Sequence, residues 1–265
     1  MDPVRGRSGP QVDRDLIHQF NGYRSDFYLH RNIFTFKCAI DCSVSMKRLD
    51  VALKMREIGV IPLFYHPDLE VCKEVVSACN RGGMTIFEFT NRGEFAHEIF
   101  GQLATWAKRA MPDLVLGVGS VVEPGTCSLY MQLGARFIVS PLLNEAMAPV
   151  CNRRKVLWIP GCATASEINR AEELGAEVVK LFPAPAVGGA KFLKAFLGPC
   201  PWSNIMPSGG VTPTEENLAE WFGAGAFCVG MGSQLITSEI VRNRDYSGLE
   251  EKARMTLEII RKIRS

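Results

Sequence analysis

Val178-Val179-Lys180-Leu181-Phe182-Pro183 sets the pattern by which the rest of the chain is read. Two β-branched residues and two large apolar ones, closed off by Pro183, Pro185 and Gly188-Gly189, spell a short buried strand. A lysine stands in the middle of it. An unpaired ammonium in such a place costs several kcal/mol, so Lys180 should be paired, reach solvent, or give up its proton. The last outcome is chemically useful. An ordinary lysine is neutral in about one molecule in a few thousand at pH 7; desolvation raises that fraction steeply and makes the amine a nucleophile toward ketones. A strand lysine can equally be an edge or snorkelling residue, and the surrounding pattern has to separate the two.

Outward from this strand the pattern repeats. Strand-like runs stand at Val60–Phe64, Thr85–Thr90, Leu114–Val118, Phe137–Ser140, Val156–Pro160, Val178–Leu181, Asn204–Pro207 and Phe227–Val229, each followed by a segment of helical period. They recur every 19 to 29 residues or so, the length of a strand, two short loops and a helix. Thr164-Ala-Ser-Glu167 and Thr212-Pro213-Thr-Glu215 read as capping boxes at helix starts, the second with proline at the first helical position. Leu249, Ala253, Leu257, Ile260 and Ile263 share one face of a final helix. Eight alternating units with no hairpin signal predict a closed (β/α)8 TIM barrel. An open doubly wound sheet would carry a glycine cluster after its first strand, where this chain has Tyr65-His66-Pro67. Gly117-Val-Gly119 lacks the last glycine of the dinucleotide fingerprint.

The barrel is expected to span 46–265, opening with a helix that Leu49, Leu53 and Ile58 punctuate and Gly59 stops. Residues 1–45 mix arginines and aromatics without sustained period and read as an N-terminal extension. It is either an appendage upstream of the functional start or an arm that packs on the barrel or a neighbouring subunit.

A formal charge of +2 gives no footprint for nucleic acid, and no apolar run is long enough to span a membrane. Nine scattered cysteines without a C-x-x-C pair read as free thiols, and four distant histidines give no metal motif. The expectation is a cytoplasmic protein with no metal and no nucleic-acid or membrane partner.

In a barrel the functional groups belong at the C-terminal ends of the strands. In Ile86-Phe87-Glu88-Phe89-Thr90, alternation puts Glu88 inside if the phenylalanines face the helices. A buried glutamate is either half of an ion pair with Lys180 or a working base. Arg92 emerges just beyond and suits a carboxylate, although a single loop arginine can also be solvated surface. Ser208-Gly209-Gly210 and Gly230-Met-Gly232-Ser233 are glycine-rich turns after the last two strands, either a phosphate cradle or turns that need positive φ.

Taken with Gly117-Val-Gly119-Ser120, Phe137-Ile-Val-Ser140-Pro141, Pro160-Gly161-Cys-Ala-Thr164 and Lys180-Leu-Phe182-Pro183-Ala184, these motifs resemble, in order and spacing, the family of 2-keto-3-deoxy-6-phosphogluconate and 4-hydroxy-2-oxoglutarate aldolases. The resemblance implies a class I aldolase on a (β/α)8 barrel, usually a homotrimer, that works on a small 2-keto acid without a cofactor. It implies Lys180 as the Schiff-base lysine and Glu88 as the acid/base. Arg92, Ser120 and Ser208 would hold the substrate carboxylate, and Thr90, Pro141 and Phe182 would line the pocket. Gly209, Gly210, Gly232 and Ser233 would receive a distal phosphate. Against the common family pattern, Ser120 stands for threonine, Asn91 for an aliphatic residue and Pro185 for an acidic one, and the last glycine turn is one residue longer. Two other readings remain: a phosphosugar isomerase or epimerase using Glu88 as proton shuttle, and a non-catalytic sensor of phosphorylated sugar acids. The first commonly needs paired acids or metal-binding histidines, and the second has no need of Lys180.

Overall fold

The computed structural model describes residues 46–265; the expected extension 1–45, with Cys38 and Cys42, lies outside the described residues. Nine parallel strand segments alternate with helices: β1 Val60–Phe64, β2 Ile86–Thr90, β3 Val115–Gly119, β4 Phe137–Val139, β5 Leu157–Ile159, β6 Gly161–Cys162, β7 Val179–Leu181, β8 Ile205–Pro207 and β9 Val229–Met231. Six pair in the order β5-β4-β3-β2-β1-β9 and three in the order β6-β7-β8. The nine fill eight positions of a closed ring. β5 and β6 are one run of chain broken at Pro160, which has no N–H to give a ladder, while its carbonyl accepts the Lys180 N–H at 2.9 Å. β5 therefore faces β4, and β6 faces β7. At the other seam the Phe227 N–H donates to the Ile205 carbonyl at 2.9 Å, and Ser208 bridges Gly230. The (β/α)8 barrel expected from the eight runs is the observed architecture.

Alternation along the strands divides the core in two. Phe87 and Phe89 face outward into the helix layer, while Ile61, Ile86, Phe137, Leu157, Val178 and Met206 fill the barrel's interior. Helix α1, Arg48–Ile58, packs Val51, Ala52 and Met55 against that interior set. Gly59 ends it at φ 80, as expected. The face differs from the reading: Leu49 and Leu53 are exposed, and the buried stripe lies at 51, 52 and 55. The partner explains the shift, because α1 meets the end of a barrel instead of the flank of a helix layer, so the long leucines are not the side chains it needs.

Around the ring follow α2 Leu69–Arg81, α3 Ala96–Ala110, α4 Pro124–Gln132, α5 Met147–Arg154, α6 Ala165–Glu173, α7 Gly189–Leu197, α8 Glu215–Gly223, the short α9 Ser238–Asn243 and α10 Tyr246–Arg264. The Thr164–Glu167 capping box forms as read. The second does not. Thr214 caps α8 by accepting the Asn217 N–H, and Pro213 precedes the cap; the Asn217 side chain turns back to accept the Thr212 N–H. α10 buries Leu249, Ala253, Leu257 and Ile260 as expected, and the fifth residue of that face, Ile263, is partly buried against the same core. The described cysteines are free thiols, all buried except the half-buried Cys200.

Candidate active site

The C-terminal ends of the strands surround a cavity of about 770 Å³. β2 delivers Glu88 and Thr90 to its wall, β7 delivers Lys180, and the chain just beyond these strands brings Arg92 and Phe182. Ser208, Gly209 and Gly210 join from beyond β8, and Gly232 and Ser233 from beyond β9. Ten of the expected site residues thus line one space. Ser120 and Pro141 are not on its wall. Ser120 stands behind Arg92, whose Nε donates to its Oγ at 3.4 Å, and holds φ 60. Pro141 packs on β6: a Cβ on Gly161 would lie 2.4 Å from its carbonyl carbon.

Lys180 and Glu88 are buried, at 6% and 1% exposure. Burial pushes the Lys180 ammonium below the usual lysine range; Glu88 pulls it back up, and Arg92 adds to the depression. Burial likewise raises the Glu88 carboxyl above its ordinary value, and the charges of Lys180 and Arg92 only partly oppose that. The two act on each other without touching: among the described residues there is no ion pair between them within 4.0 Å, and Glu88 Oε2 has no hydrogen-bond partner. The structural ion pair left open by the sequence is therefore not formed. Lys180 Nζ instead lies 4.7 Å from the centre of the Phe182 ring, and the Phe182–Pro183 peptide is cis. A buried amine held against an aromatic face, with an acid acting on it but not bonded to it, is equipped for imine formation followed by proton transfer.

Several glycines do work that composition alone does not reveal. A Cβ at Gly119 would sit 1.7 Å from Glu88 Oε1, and one at Gly117 would lie 2.4 Å from the Phe137 ring. Gly117-Val-Gly119 is thus no phosphate fingerprint; it opens room on β3 for the Glu88 carboxylate and for the core beneath it. The two-strand register, Glu88 opposite Gly117 and Thr90 opposite Gly119, is the signal that finds it. At the glycine turns the two alternatives part. Gly209 and Gly210 take φ 85 and 73, which side chains resist, and a Cβ on Gly210 would come 2.7 Å from Pro185 Cγ. Gly232 has no such φ but lies so close to β1 that a Cβ would meet Leu63 at 2.7 Å. Neither turn opens directly into its helix: α8 starts at Glu215 and α9 at Ser238. Between β9 and α9, Leu235 and Ile236 both donate to the Gly232 carbonyl, which winds the chain into a turn starting at Ser233.

Asn91, unexpected among aliphatics, accepts from the Tyr130 hydroxyl at 2.8 Å and ties the end of β2 to α4. His66, Gln234 and Arg242 also line the cavity. Sequence reading passed over them because each lies in a segment without a strong period.

The family model for KDPG and KHG aldolases matches residues 51–251. The chain is 30% identical over 200 residues to the KHG/KDPG aldolase of Escherichia coli (strain K12), covering 75% of this chain and 91% of the relative. It is 31% identical over 204 residues to the 2-dehydro-3-deoxy-phosphogluconate aldolase of Pseudomonas aeruginosa, covering 77% and 90%. A crystal structure of KDPG aldolase from Legionella pneumophila, with pyruvate captured as a covalent carbinolamine, superposes with a TM-score of 0.70 at 27% identity, covering 77% of this chain and 97% of that one.

Proposed function

The chain belongs to the KDPG and KHG aldolase family, and from that premise we propose how its residues share the work. It is a class I, Schiff-base aldolase, a carbon–carbon lyase that cleaves 2-keto-3-deoxy-6-phosphogluconate to pyruvate and glyceraldehyde 3-phosphate and/or 4-hydroxy-2-oxoglutarate to pyruvate and glyoxylate. One observation carries the assignment of roles: the amine whose proton burial disfavours, Lys180, shares a cavity with the acid whose proton burial favours, Glu88.

Neutral Lys180 attacks the C2 ketone, the carbinolamine takes up a proton from solvent and loses water, and a protonated imine results; that proton is released again when the imine is hydrolysed. Ionised Glu88 takes the proton of the C4 hydroxyl as the C3–C4 bond breaks. Those electrons flow into the imine, the aldehyde leaves, and an enamine of pyruvate stays on the lysine. Glu88, now protonated, returns its proton to C3, and water hydrolyses the imine to free pyruvate and Lys180. Burial raises the proton affinity of Glu88, which helps it take the hydroxyl proton and hold it for return to C3. Arg92, backed by Ser120, and Ser208 take the pyruvoyl carboxylate and fix the imine plane against Glu88. Thr90 and Phe182 shape the pocket, with Pro141 supporting it from β6. Gly209, Gly210, Gly232 and Ser233 receive the distal group through backbone N–H.

The imine is the electron sink, so the cycle closes with no metal or organic cofactor. We read the enzyme as a cytoplasmic homotrimer without nucleic-acid or membrane partners. Buried free thiols support a reducing compartment, and no helix of the described residues is long and apolar enough to cross a membrane. Phe95, Val122, Leu129 and Leu142, exposed apolar side chains that follow β2, β3 and β4, support self-association. The reading of residues 1–45 as a separate extension to a barrel at 46–265 belongs to the same proposal.

Borohydride reduction with pyruvate, read by intact mass and peptide mapping, tests the roles. One stable adduct on Lys180, absent from Lys180→Ala, is expected. An adduct on another lysine, or none on folded protein, would favour the isomerase or sensor instead.

A further inference from the structure

The cavity carries two separate positive poles. Six ionisable side chains line it: Tyr65, His66, Glu88, Arg92, Lys180 and Arg242. Glu88 and Lys180 act on each other, and the charge of Arg92 acts on both, so the three form one electrostatic group. Arg242 comes from a different element, α9, and contributes to neither shift. It projects from α9, past the turn at Ser233, and among the described residues it has no carboxylate within 4.0 Å. No acidic side chain other than Glu88 lines the cavity.

The chain between β9 and α9 is held in place. Lys252 Nζ donates to the Gln234 carbonyl at 2.7 Å and pins the turn from behind. β1 pairs with β9 through Pro62 and Met231, so the chain leaving β1 borders the chain leaving β9. His66 lies on that border. Its Nδ1 accepts the Asp68 N–H at 3.0 Å, so Nε2 is the ring nitrogen left to donate. Backbone N–H groups of a glycine turn bind a hydroxyl, a carboxylate or a phosphate with modest preference. A guanidinium reads charge and forked geometry, and a phosphate dianion satisfies both.

We propose that Arg242 is the specificity-determining residue for the distal end of the keto acid. Its guanidinium takes a terminal phosphate, so this chain favours a phosphorylated six-carbon acid over an unphosphorylated acid or a five-carbon dicarboxylate. The inference rests on the aldolase reading above and names which of its substrates the site is made for.

The test runs the reaction in the direction of synthesis, pyruvate adding to glyceraldehyde 3-phosphate or to glyceraldehyde, and takes the ratio of the two kcat/KM values. In Arg242→Gln the ratio should fall about tenfold or more, through the KM of the phosphorylated aldehyde, as expected for loss of a charge-assisted contact. Arg244→Gln, which removes a neighbouring exposed charge, should leave the ratio in place. An unmoved ratio in Arg242→Gln overturns the inference, and so does an equal fall in both variants, which would mark a general field. Pyruvate trapping by borohydride separates the two layers of argument, because pyruvate has no distal group. If wild type does not trap, the aldolase reading fails; if it traps and the ratio holds, only the role of Arg242 fails.

Discussion

The barrel's interior has two floors made from the same strands. Below, Ile86, Val115, Phe137, Val139, Leu157 and Met206 pack with Met55 of α1 into a dry apolar layer. Above, one step along β2 and β7, stand Glu88 and Lys180, equally buried but without a bond to each other. The lower floor holds the ring in shape. The upper floor holds two titratable groups whose charged forms burial disfavours. Burial is common to both, and it stabilises the fold in the first case while opposing ionisation in the second.

The contrast can be broken from below. Met55→Ala removes a fully buried side chain from the plug, and about 2–5 kcal/mol of stability should go with it. Because the cut lies on the floor beneath the chemistry, kcat should be unchanged well below the melting temperature. Denaturant unfolding and steady-state kinetics on one preparation check both halves. A collapse of kcat at intact fold would mean that the two floors are not separable.

From above, the cut is Gly119→Ala. The added methyl competes for the place of Glu88 Oε1, so the carboxylate must move by about an ångström; a misplacement of that size typically costs on the order of a hundredfold in rate. The expectation is a kcat fall of about 10², with trapping of pyruvate on Lys180 retained, since imine formation needs the amine more than the acid. Wild-type kcat in this variant would show that Glu88 is not where the proton moves.

How far the sequence could show this follows from the range of the forces involved. Ile86-Phe87-Glu88-Phe89 declares its two faces locally, because alternation is a property of one strand. Lys180 stands out for the same reason. The work of Gly119 depends on which residue of β2 it faces, and that register is settled by the whole ring. Likewise Pro160 divides the fifth run between two neighbours, which no local pattern declares. The misread face of α1 and the misplaced cap at Thr212 are local signals overruled, the one by the barrel's end and the other by the Asn217 side chain. Arg242 could not be found at all without the fold, because a solvated arginine on a short helix has the same sequence.

The smallest effect is also the sharpest in sign. Native Lys180 titrates below the ordinary lysine value of 10.5, so between its lowered value and 10.5 the unfolded chain holds one proton more at this site. Stability contributed by the site must therefore rise with pH through that window. Glu88 works in reverse. Its native value is raised above 4.5, so between 4.5 and the raised value the folded chain holds the extra proton, and stability falls as pH rises. Lys180→Met should be at least as stable as wild type near neutrality, because it relieves a buried amine of its proton penalty. Its advantage should shrink as pH climbs toward 10.5, at no more than about 1.4 kcal/mol per pH unit. Urea titrations of the pair at stepped pH supply the measurement. A difference flat across the alkaline range would put Lys180 at an ordinary value, and the upper floor would then be a paired interior like any other.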